Sequence, residues 1–148
     1  MNFTLSTPIV KDFKEVFNQF DQELFEFLLP PKKVAQLIEF GGSQKGAIVH
    51  IQFLVPFKTE WISEITEDKQ RETECYFIDV GRKLPFGLKY WTHKHIVKKE
   101  GDQAIIVDDI TYGYNNKVLD ILFYPFWYLS FLPRKKQYRQ FFEEGKRK

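Results

Sequence analysis

Residues 88–114 read LKYWTHKHIVKKEGDQAIIVDDITYGY. Two strand-length halves, 88–99 and 103–114, flank a turn segment at 100–102 in which Gly101 supplies the break. Both halves are rich in β-branched and aromatic residues, as a pleated, half-buried surface requires. Side chains alternate along a strand, so Trp91, His93, His95 and Val97 share one face, and Ile106, Asp108, Ile110 and Tyr112 share a face of the next strand. A hairpin folded about Gly101 sets His93 opposite Asp108 and Trp91 opposite Ile110, close enough to interact. The expectation is a His93–Asp108 contact in which the carboxylate orients the imidazole and raises its pKa. A slip of one residue would send the two side chains to opposite faces.

The segments before this hairpin have the same character. VAQLIEF (34–40), GAIVHIQFLVPF (46–57), TEWISEITE (59–67) and RETECYFIDV (71–80) are each of strand length. Turn-like stretches fall at 41–42, 67–70 and 81–87. Sequential strands with short connections favour an antiparallel meander. FTLSTPIV (3–10) alternates well enough for a first strand, with Phe3, Leu5 and Ile9 as its apolar members. Between it and the meander, Phe13, Val16, Phe17, Phe20, Leu24, Phe25 and Leu28 recur at helical spacing. Asp12 caps the start of this helical stretch, 18–21 divides it into two short helices, and Pro30–Pro31 ends it. Residues 117–144 return to helical spacing, with Pro125 and Pro133 predicting a kinked or divided helix.

The whole order predicts one α+β domain over 1–148: a strand, one or two short helices, a run of strands, and a long C-terminal helix. An antiparallel sheet of about seven strands curls because its strands twist. A helix laid across the concave side encloses a space, and that space is a pocket wherever side chains do not fill it.

Composition narrows the function classes. Apolar residues make up 43% and charged residues 28%, as in an ordinary globular domain. The net charge of +2 is too balanced for a protein that grips nucleic acid by neutralising many phosphates. Aromatic residues reach 18%, which suits either a Phe-rich core or the walls of an apolar pocket. Cys75 is the only cysteine, so no internal disulfide can form. The first residues lack a basic stretch followed by an apolar one, and a cytoplasmic location is the expectation. Ser-His-Asp, P-loop and GxGxxG signatures are absent, and no cofactor is expected.

The stretch FIDVGRKLPFGLKYWTHKHIV (77–97), followed by VDDITYGY (107–114), resembles the START/polyketide-cyclase superfamily, often called SRPBCC. The matching residues are Phe77 and Asp79, Pro85 and Phe86, then Trp91, His93 and His95. Asp108, Ile110 and Tyr112 follow on the next strand, and Arg134 lies in the final helix region. These motifs cover about the second half of the chain, and the element order covers all of it. Pro125, Pro133 and the very aromatic stretch 124–132 depart from the pattern. The resemblance implies a helix-grip fold with a cavity for a lipid, sterol, polyketide or other hydrophobic molecule. Most such proteins bind or carry their ligand, and some are cyclases, dehydratases or hydrolases.

Three functions follow as expectations. The first is a binding module whose cavity between sheet and C-terminal helix is walled by Phe77, Trp91, Ile110, Tyr112 and Phe126, with His93, His95 and Asp108 as polar contacts. The second is a cyclase-, aromatase- or dehydratase-type enzyme using His93 with Asp108 as acid and base. The third is a membrane-surface or protein-interaction module working through 121–139, since residues 134–148 hold seven Lys or Arg against two Glu. Against the third stands the simpler expectation that the helix buries its aromatics on the sheet. His93 and His95 have the alternation that lets two imidazoles point the same way, with His50, Asp79 or Asp108 as a third ligand. That signal is weak, and no metal site is expected. Cys75 reads as a small buried hydrophobe.

Overall fold

The computed structural model describes residues 1–145 of the chain. One seven-stranded antiparallel sheet runs in the spatial order β1-β7-β6-β5-β4-β3-β2. The strands are β1 (Asn2–Ile9), β2 (Ala35–Phe40), β3 (Ile48–Phe53), β4 (Thr59–Gln70), β5 (Glu74–Lys83), β6 (Tyr90–Glu100) and β7 (Gln103–Gly113). β2 to β7 form the expected meander, and β1 returns to pair with β7. The first and second strands therefore lie at opposite edges of the sheet, and the intervening chain must cross its face.

That crossing is made by α1 (Phe13–Asn18) and α2 (Gln22–Leu28). Asp12 accepts hydrogen bonds from the Lys14 and Glu15 amides, and Asp21 accepts one from the Leu24 amide. Each aspartate satisfies donors that a helix start leaves open. The division re-aims the apolar stripe: Phe13, Val16, Leu24 and Phe27 become buried, while Phe25 and Leu28 stay at the edge of the interior. Leu29 takes extended backbone geometry before Pro30, which ends α2.

The C-terminal helix runs in three consecutive segments, α3 (Lys117–Leu122), α4 (Tyr124–Phe131) and α5 (Arg134–Phe142). The breaks fall at Phe123 and at Leu132–Pro133, as the two prolines require. α5 lays Tyr138, Phe141 and Phe142 on a core made with Ile9, Phe13, Leu24, Val97 and Ile106. α4 lays Trp127 on a second core with Phe3, Trp91, Ile110 and Tyr112. This is the helix-grip arrangement, a curved sheet closed over by its terminal helix.

Two local expectations are corrected. β4 runs unbroken through 67–70 and β5 through 81–83, where turns were expected. Ladder hydrogen bonds need only backbone, so Asp68 pairs with Phe77 and Lys69 with Tyr76 despite their polar side chains. The β6–β7 register also differs from the expected one by two residues. Glu100 pairs with Gln103 around a tight turn, so Trp91 faces Tyr112, His93 faces Ile110 and His95 faces Asp108. Gly101 takes φ 62° there, backbone that glycine adopts without strain. A slip of two preserves the faces, so the same side chains still point inward.

Candidate functional site

Three neighbouring strands and α5 bring one set of polar side chains to the concave face. Asp79 on β5 is the cross-strand partner of His93 on β6, and Asp108 on β7 is the partner of His95. The hydrogen bonds cross this pairing diagonally. His93 Nε2 donates to Asp108 Oδ1 at 2.8 Å, and His95 Nε2 donates to Asp79 Oδ2 at 2.6 Å. The two imidazoles stack with centroids 3.6 Å apart, and Phe77 stacks on the far side of His95 at 4.2 Å. From α5, Tyr138 donates to Asp108 Oδ1 at 3.1 Å and Arg134 Nη1 reaches the same oxygen at 3.5 Å. A His93–Asp108 contact thus forms, by diagonal reach where direct opposition was expected.

Charge in this cluster follows from its partners. Burial pushes the Asp108 carboxyl up, but the His93 hydrogen bond and the Arg134 charge outweigh it, and its pKa falls to about 2. Burial likewise opposes ionisation of Asp79, and its His95 hydrogen bond still brings it below the usual carboxylate value. His95 moves down to about 4, first through burial and then through the adjacent His93 ring, against the pull of Asp79. At neutral pH His95 is therefore neutral, with its proton on Nε2 facing Asp79. Burial raises the Tyr138 phenol far above its ordinary value. Two carboxylates, one guanidinium and a neutral His95 thus occupy the middle of the interior.

Beside this cluster the interior is open. A cavity of about 340 Å³ lies between the sheet and α4–α5, within the range of small-molecule sites. Trp61, Trp91, Trp127 and Phe131 form its aromatic wall, and Asp79, His93, His95 and Arg134 form its polar end. Trp61 and Trp91 meet edge to face at 4.9 Å, a preferred aromatic geometry. The indole of Trp127 is fixed by donation to the Tyr114 hydroxyl at 3.0 Å. A smaller void of about 40 Å³ adjoins the other side of Asp79, His95 and Arg134.

Neither a protein-family model nor a curated protein sequence matches the chain. Solved structures do. A protein of Staphylococcus epidermidis is 11% identical with a TM-score of 0.62, covering 99% of this chain and 92% of its own. A protein of Nitrosospira multiformis is 12% identical with a TM-score of 0.61, covering 99% and 100%. The ginseng major latex-like protein 151 of Panax ginseng is 18% identical with a TM-score of 0.53, covering 93% and 95%. The fold is the helix grip.

Within the helix grip, the residues singled out from the sequence take three positions. Trp91, His93 and His95 line the main cavity, and Phe126 stands at its edge with more than half of its surface exposed. Phe77 lines the smaller void. Asp108, Ile110 and Tyr112 are sealed behind the wall, and the Tyr112 hydroxyl donates to the Asp120 carbonyl at 2.6 Å. Tyr138, Ser63, Trp61 and Trp127 were not foreseen. Tyr138 lies one helical turn after Arg134, a spacing that puts both on one face. Trp61, Ser63 and Ile65 alternate on β4, but that strand's charged outer positions obscured its inner face.

Asp79, His93 and His95 bring ligand-type atoms within 4.8 Å of one another. A single ion must lie near the plane of each imidazole that binds it. The two rings are only 24° from parallel and 3.6 Å apart. Their lone pairs therefore do not converge on one point, and the cluster is not arranged to hold a metal ion. Among the described residues no helix is long and apolar enough to cross a membrane.

Proposed function

We propose that the chain binds one small, largely apolar molecule in the helix-grip cavity and carries or sequesters it. The observation that supports this is the open interior itself: about 340 Å³ bounded by aromatic rings, with charged and polar groups gathered at one end. Close-packed interiors leave few voids larger than a water molecule. A cavity of this size forgoes stabilising contacts that a guest would restore. The START-like resemblance carries the same implication.

The enzyme alternative draws no comparable support. His93 gives Nε2 to Asp108, and its Nδ1 lies 3.9 Å from Asp79. Nε2 is thus committed to a protein carboxylate, and nothing in the geometry of the described residues sets Nδ1, which faces Asp79 beyond hydrogen-bond distance, against a reacting group.

A second reading, contact with a membrane surface, rests on α3 and α4. No residue of α3 is buried, and Val118, Ile121 and Leu122 are each more than 60% exposed. Phe126 and Leu129 continue this apolar face on α4, next to the cavity. The simpler expectation is that the helix buries its aromatics on the sheet: Trp127, Tyr138, Phe141 and Phe142 are buried, while Phe126 and the aliphatic Val118, Ile121, Leu122 and Leu129 face outward. Lys117, Lys136 and Arg139 are exposed in the same helical run, which suits an anionic bilayer. The basic residues 146–148 lie outside the described residues.

Native mass spectrometry tests the binding proposal. After incubation with a cell extract of lipids and aromatic metabolites, the chain should carry one guest, released on unfolding. A bare chain under the same conditions would contradict it.

A further inference from the structure

The polar end of the cavity specifies more than apolarity, provided the binding proposal above holds. Asp79 uses Oδ2 to accept from His95 at 2.6 Å, and no hydrogen bond among the described residues occupies its Oδ1. Its side chain keeps 15% of its surface open, and it lines the cavity. Arg134 commits Nη1 to Asp108 and Tyr138, at 3.5 Å and 3.3 Å, and its guanidinium lies over the Phe131 ring at 4.6 Å. Nη2 and Nε take no protein partner among the described residues. His95 adds nothing further, since its Nδ1 is shut away from the open space, while His93 keeps Nε2 on Asp108 and turns Nδ1 towards Asp79 at 3.9 Å. Ser63 and Gln137 also line the cavity, and each can donate or accept.

Two groups therefore discriminate between guests: an acceptor-only carboxylate oxygen and the donor-only guanidinium. A carboxylate guest would meet Asp79, and an ammonium guest would meet Arg134. A pure hydrocarbon would cover both and leave them unpaired, at a cost larger than a hydrogen bond's net worth. A hydroxyl donates to one and accepts from the other. We infer that the guest ends in a neutral hydroxyl, alcoholic or phenolic, seated between Asp79 and Arg134 with its apolar body against Trp61 and Trp91.

Equilibrium dialysis of the full chain at neutral pH, with four probes sharing one ring system, tests this. The probes are naphthol, naphthalene, naphthoate and naphthylmethylammonium. Naphthol should bind about tenfold or more tighter than each of the others, the value of a hydrogen bond to a charged group. Asp79→Asn removes the anion but keeps an acceptor for His95, and naphthoate should then gain about tenfold. Should that variant fail to fold, the series on the unaltered chain still decides. Naphthoate or the ammonium probe binding as tightly as naphthol would overturn the inference. Equal binding of all four would overturn the hydroxyl and leave a guest-binding cavity standing, whereas no binding by any would overturn both.

Discussion

At the residue scale, Asp108 and His95 set how the molecule answers to acid. Asp108 is almost wholly buried and holds His93, Tyr138 and Arg134 on one oxygen. Asp108→Ala would strand a guanidinium without its counter-charge, and urea unfolding should show a loss of about 3–5 kcal/mol. The pH dependence has a definite sign. An unfolded chain protonates His95 near 6.5, but the folded chain resists until about 4, so stability falls as pH drops through that window. The Asp108 carboxyl is lowered from 3.8 to about 2, so its contribution is full above 3.8 and is lost on approach to 2. His95→Gln retains a donor for Asp79 without titrating. Unfolding free energies measured across pH should lose the first part of the slope in this variant and keep the second. An unchanged slope would show that His95 is not the group responsible. The His93–Asp108 contact was legible because alternation fixes which side chains share a face. The diagonal reach was not, because it depends on how tightly the Gly101 turn closes.

At the scale of elements, α3 and α4 divide their apolar residues between inside and outside. Trp127 is 7% exposed and hydrogen-bonded, so Trp127→Ala should cost about 3–5 kcal/mol in chemical denaturation. Leu122 and Leu129 face outward, so changing both to Ser should move stability by about 0.5 kcal/mol or less. The same double variant should lose flotation with anionic vesicles if the face meets a bilayer. Flotation equal to that of the unaltered chain would remove the membrane reading. The helix breaks were written into the chain by Pro125 and Pro133, and the two short N-terminal helices by their capping aspartates. Which apolar residues of α3 and α4 face the sheet was not legible. That run is apolar around most of its circumference, so periodicity names no single buried side.

The scale of the whole molecule is where the cavity exists, since no single element contains it. Element order, meander and closing helix could be read from alternating and helical spacing together with turn residues, but not the return of β1 to the β7 edge. The open volume could not, because it is what remains after the side chains of β3 to β6, α2 and α4–α5 have packed. Trp61 shows the difficulty: its role depends on meeting Trp91 and Trp127 across a curved surface rather than on any neighbour in sequence. Ser63, small and buried beside both open spaces, offers a way to fill the interior without touching the polar cluster. The decisive measurement is titration of the unaltered chain and of Ser63→Trp with the neutral dye Nile red, read by fluorescence. One saturable site per chain is predicted in the unaltered protein and its loss in a Ser63→Trp variant that still unfolds cooperatively. Equal binding by the two would put the dye on the outer face of α3–α4 and contradict a guest held between sheet and helix.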